Sequence, residues 1–180
     1  MKEVFKLAAA LALVAAGAFA FVRLQENKGY ALKRGQPAPT LRVPSLDGGA
    51  LDIGSYRGRW VLVNFWATWC PPCVAEMPSL ERLHRSLGTQ GLAVVSVSVD
   101  EDEAVLRRFV SQHGVTFPVG RDPGGRGAQS YRTTGYPETF VIDPAGVVQE
   151  IFVGPAEWDT PEALDHFRGL LTRRSTSPTR

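Results

Sequence analysis

The chain's only two cysteines, Cys70 and Cys73, are separated by two prolines. The apolar run 61–66 leads into them, and a stretch that can be helical, 74–87, follows. An apolar strand, a turn, Cys-x-x-Cys and a helix is the layout of a redox site. A helix that starts at Cys70 or Pro71 leaves its first N–H groups unpaired, and its dipole is positive there. A thiolate at that end is stabilised, so the Cys70 thiol is expected below the pKa of a free thiol. Pro71 and Pro72 suit the first turn, where their missing N–H is not needed and their fixed φ is already helical. Three residues of helix return Cys73 beneath Cys70. Cys70 is therefore the expected nucleophile and Cys73 the resolving thiol.

Two other uses of the pair compete. A structural disulfide would close a four-residue loop, for which chain entropy gives only about 2 kcal/mol. A structural zinc site wants four ligands. His84, His113 and His166 show no ligand spacing with the cysteines and read as surface residues. No metal site and no bound cofactor is expected.

The rest of the chain supplies one domain's worth of elements. Its 180 residues carry a net charge of +2, so nothing points to nucleic acid. Lys2 and Lys6 precede an uncharged apolar run, 7–22, with Ala18-Phe19-Ala20 as a small-x-small cleavage pattern. Residues 1–24 are a signal peptide or an N-terminal anchor, and the preceding positive charges put the remainder outside the cytoplasm. Residues 25–36 read as a polar linker without fixed structure. Residues 37–174 form the domain, and 175–180 a disordered tail.

Within the domain, 40–56 reads as a β-hairpin turning at Asp47-Gly48-Gly49. Strands are expected at 60–65, 92–99, 139–142 and 147–153, with a short strand or extended link at 115–119. The run 92–99 is continuously apolar, as in a strand buried on both faces. Helices are expected after the cysteines, where Pro78 should kink the chain; after the acidic start 100–103; in a short insert at 128–132; and after the Thr160-Pro161 cap. The order is β-hairpin, βα, βα, insert, ββα. It predicts an α/β fold whose central mixed sheet carries helices on both faces.

Three stretches resemble a known family. They are Phe65-Trp66-Ala67-Thr68-Trp69-Cys70-Pro71-Pro72-Cys73, Glu76-Met77-Pro78, and Gly135-Tyr136-Pro137-Glu138-Thr139-Phe140-Val141-Ile142-Asp143. Together they resemble the exported TlpA/ResA/CcmG-like (DsbE-type) proteins of thioredoxin fold, over about residues 37–171. The resemblance implies an extra N-terminal hairpin and a short insert before the strand that follows a cis proline. By position that proline is Pro137, facing the cysteine pair. The backbone of Tyr136 would pair with a bound substrate chain. Glu76 matches a buried glutamate, which would give and take a proton at Cys73. Glu138 would make the site acidic, unless it is an exposed strand residue. Trp69 is expected as a partly exposed platform for partners and Trp66 as core beneath the site. Asn64 departs from ordinary thioredoxins, which carry an aspartate there. It reads as a hydrogen-bonding core residue and leaves the proton work to Glu76.

The implied activity is extracytoplasmic thiol–disulfide exchange, as a reductase of protein disulfides, those of apocytochrome c among them. Electrons would come from a membrane thiol transporter of DsbD/CcdA type, because the compartment itself favours disulfides. The chain is expected to act as a monomer. A disulfide-donating oxidase differs from this only in reduction potential. A copper(I) chaperone using both thiolates is a third possibility. A peroxidase of similar fold would carry Pro-x-x-x-Thr/Ser before its nucleophile, and the position four before Thr68 is Asn64.

Overall fold

The computed structural model describes residues 31–172. The expectations for 1–24 and 175–180 lie outside them. Among the described residues no helix is long and apolar enough to cross a membrane.

Strands β1 (Arg42–Pro44) and β2 (Ala50–Asp52) form the expected hairpin, paired antiparallel with Val43 opposite Leu51. Ile53 then enters a 3-10 turn, Ile53–Tyr56, instead of extending β2. The Asp52 carboxylate accepts from the Gly54 N–H and bends the chain there. Five strands make the central sheet: β3 (Trp60–Trp66), β4 (Leu92–Ser98), β5 (Val119–Arg121), β6 (Glu138–Ile142) and β7 (Val148–Val153). Their order is β5-β4-β3-β6-β7. β4 runs parallel to β3 and to β5, while β6 is antiparallel to β3 and to β7. Four helices complete the domain: α1 (Pro71–Leu87), α2 (Glu103–His113), α3 (Arg126–Ser130) and α4 (Pro161–Thr172).

Alternation along β3 divides the core. Leu62 and Trp66 join one apolar cluster with Leu80, Leu83 and Leu87 of α1, Leu106 of α2, and Phe167 and Leu170 of α4. Val61, Val63 and Phe65 join the other, with the hairpin's Val43 and Leu51 and α3's Ala128. Each fully buried side chain of this size contributes about 1.5–3 kcal/mol. The only polar side chain of β3 is Asn64, fully buried on the α1 side.

Three expectations are corrected, and one left open between two forms is decided. Residues 32–36 are part of the domain and not free linker: Leu32 is buried, Gly35 N–H donates to Val148 O at 2.7 Å, and Val148 N–H donates to Gln36 O. Helix α2 starts later than the acidic run suggests. Asp102 is its cap, accepting from Ala104 and Val105 N–H, while Asp100 is buried elsewhere. Of the short strand or extended link expected at 115–119, the chain takes the link, and the strand begins only at Val119, because Thr116 gives its N–H and hydroxyl to Glu81 of α1 and Pro118 has no N–H to pair. His84 is not a surface residue. It is half-buried edge-on against Phe117, and burial lowers its pKa.

Candidate active site

Cys70 caps the N-terminus of α1 and is bonded to Cys73, with 5.3 Å between their Cα atoms. The Cys73 N–H points at Cys70 Sγ, 3.4 Å away. That first-turn donor, which has no carbonyl partner within the helix, and the helix dipole would hold a thiolate on Cys70 once the bond is reduced. Cys70 keeps 5% of its surface exposed and Cys73 none. Of the two sulfur-bearing residues, only Cys70 is open to solvent.

The turn that presents Cys70 is fastened from beneath. Buried Asp100 accepts from the Thr68 N–H at 2.9 Å and the Thr68 hydroxyl at 2.6 Å. Oδ2, the oxygen that takes the Thr68 N–H, also accepts from the Ser98 hydroxyl. Sequence reasoning passed over this residue by counting it in the acidic helix start. The peroxidase alternative loses further ground here, since the Thr68 hydroxyl is already given away.

On the other side, the Tyr136–Pro137 peptide is cis, and Tyr136 O lies 3.5 Å from Cys70 Sγ. Trp69 is 64% exposed and meets Tyr136 in a T-shaped contact, ring centroids 6.1 Å apart. These residues thus surround one sulfur. Glu138 does not line that opening. It is buried, and its carboxylate accepts from the N–H and hydroxyl of Thr134, tying down the loop before Pro137.

Glu76 lies one helical turn after Cys73 and is 2% exposed. Asn64 Nδ2 donates to its Oε1 at 2.8 Å, and Ala156 N–H and Trp158 Nε1 donate to its Oε2 at 3.1 Å. Burial pushes its pKa up, and the charge of Glu157 adds to that. The three donors oppose the rise without cancelling it. A cleft of about 310 Å³ lined by Pro72, Ala75, Glu76, Pro155, Ala156 and Glu157 opens beside it. The Ala156–Trp158 segment escaped sequence reasoning. Its one signal was Trp158, an aromatic residue with a donor inside an otherwise polar loop. Asn64 Nδ2 also donates to Thr139 Oγ1 at 2.9 Å, which joins β3 to β6 behind the site.

Comparison with known proteins agrees with this geometry. The AhpC/TSA family model matches residues 34–151. The thiol–disulfide oxidoreductase ResA of Oceanobacillus iheyensis is 33% identical over 172 residues, covering 93% of this chain and 86% of that one. The thioredoxin-like protein YneN of Bacillus subtilis is 38% identical over 131 residues, 71% of this chain and 76% of that one. Among solved structures, a thiol:disulfide interchange protein of the thioredoxin family from Chlorobium tepidum superposes with a TM-score of 0.64 at 29% identity. It covers 80% of this chain and 99% of that one. The chain belongs to the AhpC/TSA family and, within it, to the thiol–disulfide oxidoreductases of ResA and DsbE type.

Proposed function

We propose that this protein reduces protein disulfides outside the cytoplasm. Cys70 attacks a partner disulfide and expels one partner sulfur, giving a mixed disulfide. Cys73 then attacks Cys70 Sγ, which releases the partner as a dithiol and leaves Cys70–Cys73 oxidised. The partner takes up two electrons and two protons in all. Glu76 serves the second step, taking the proton from the Cys73 thiol and passing it to solvent through the cleft beside it. The observation that carries the exchange chemistry is the carboxyl buried one turn below Cys73, its pKa raised by burial, with a cleft open beside it.

Pro137 and Tyr136 hold the incoming backbone beside Cys70, and Trp69 covers it. Lys2, Lys6 and the apolar run after them support an extracytoplasmic domain delivered or tethered by the N-terminal segment. Apocytochrome c is the proposed substrate, and a membrane thiol carrier of DsbD/CcdA type the donor.

The direction of flow is tested by equilibrating the protein with glutathione buffers of known ratio. A midpoint more reducing than the glutathione couple is expected. A midpoint far above it would make the protein an oxidase. The substrate is tested with Cys73→Ser, which stalls at the mixed disulfide. Mass spectrometry of the trapped adducts is expected to return a haem-free cytochrome c, and its absence among abundant adducts removes that assignment.

A further inference from the structure

A second cleft opens beside Cys70, of about 270 Å³. Trp69 and Tyr136 form one side. Val99 and Glu101, from the turn between β4 and α2, and Gly124, Gly125, Gln129 and Thr133, from the insert around α3, form the rest. The first two residues are the same ones that flank the sulfur, since Tyr136 O is 3.5 Å from Cys70 Sγ. A polypeptide whose disulfide is engaged at Cys70 therefore lays a neighbouring side chain over this cleft, one residue being at most about 3.6 Å of chain.

The lining specifies what that side chain is. Gly124 and Gly125 both have positive φ, +78° and +66°, and bring backbone up to the cleft with no side chain to fill it. The two aromatic rings stand at 76° to one another. Glu101 is exposed, and its Oε1 accepts from the Gly124 N–H at 2.9 Å, which fixes the carboxylate at the lip. Among the described residues this carboxylate makes no ion pair, and it is the only charged side chain in the lining. Arg121 donates to the Glu101 carbonyl, not to its carboxylate. Arg121 and Arg126 line a separate cleft against β1, and Arg121 is paired with Glu103. Two aromatic rings and one oriented carboxylate suit a cation carried on an apolar stem.

We propose that this cleft receives a lysine or arginine side chain adjacent to the attacked cysteine of the partner polypeptide. The assignment rests on the thiol–disulfide exchange proposed above and names the partner's chemistry at that site. It also runs against the protein's overall field. The net charge is +2, so long-range attraction by itself would favour an acidic partner.

The test uses the reduced full-length chain and short peptides, each with one cysteine disulfide-bonded to 2-mercaptoethanol. Lysine, norleucine or glutamate occupies one of the two positions on either side of that cysteine. Stopped-flow tryptophan fluorescence gives the second-order rate of exchange. At one position at least, lysine is expected to react about tenfold faster than glutamate at low salt, with norleucine between them. Glu101→Lys is expected to invert that order, and Glu101→Gln to bring the ratio near one. Lysine and glutamate rates within about twofold at all four positions overturn the assignment. So does a lysine preference that survives Glu101→Lys. Hydroxyethyl disulfide, small and neutral, separates the two layers: if the wild-type dithiol does not reduce it, the exchange reading itself fails.

Discussion

At the scale of single residues, the site is governed by what burial does to a carboxyl even when it is well hydrogen-bonded. Glu76 receives three hydrogen bonds and is still held above the ordinary carboxyl pKa by burial. The consequence for stability has a definite sign. Below the ordinary carboxyl value the folded and unfolded chains are both protonated there, and the group costs nothing. As pH rises past that value the unfolded chain ionises first, so stability falls until the folded carboxyl also ionises. Glu76→Gln is expected to abolish this decline in denaturation series run from about pH 4 to pH 8. It should also move the titration of the reduced cysteine pair, since no second negative charge then forms near Cys73. A cysteine titration that stays where it was would leave Glu76 as scaffold only. The glutamate's position was legible in sequence, as three residues after Cys73. Its partners were not, because Ala156 and Trp158 come from 80 and 82 residues away and carry no spacing signal.

At the scale of elements, the turn 67–70 depends on β4 more than on its own sequence. The Asp100 carboxylate, just past the end of β4, collects the Thr68 N–H, the Thr68 hydroxyl and the Ser98 hydroxyl. Asp100→Ala leaves three donors short of an acceptor at a buried position, and is expected to cost about 2–4 kcal/mol by denaturant titration. Exchange activity should fall with it, because the turn that aims Cys70 is released. A loss under about 1 kcal/mol would mean water replaces the carboxylate without penalty. The strands and long helices of this fold are written plainly in apolar periodicity, as in the runs that become β3, β4 and α1. Asp100 shows the limit of that reading. Four acidic residues in a row, 100–103, resemble a helix start, yet only Asp102 caps and Asp100 is drawn inward by a threonine 32 residues earlier.

At the scale of the whole molecule, the sheet has two edges, β5 and β7, and they are covered in different ways. The hairpin lies against β5, where a Cβ on Gly120 would stand 2.6 Å from Val43 Cγ2. The start of β7 is covered by residues that read in sequence as linker. Gly35 and Gln36 exchange hydrogen bonds with Val148, Pro37 bridges to Val147, Ala38 N–H donates to Gly146 O, and Leu32 is buried in the core. Polar, glycine- and proline-containing sequence signals no regular structure, which is correct locally. It says nothing about whether such a segment is pinned along an edge. Two shortened chains separate these meanings. One beginning at residue 31 is expected to keep its denaturation midpoint. One beginning at residue 39 loses the burial of Leu32, worth about 1.5–3 kcal/mol, together with the bonds along β7. It should melt lower, and its bared strand edge should make it self-associate as concentration rises in sedimentation. Equal midpoints for the two would return residues 32–38 to the role of a free tether.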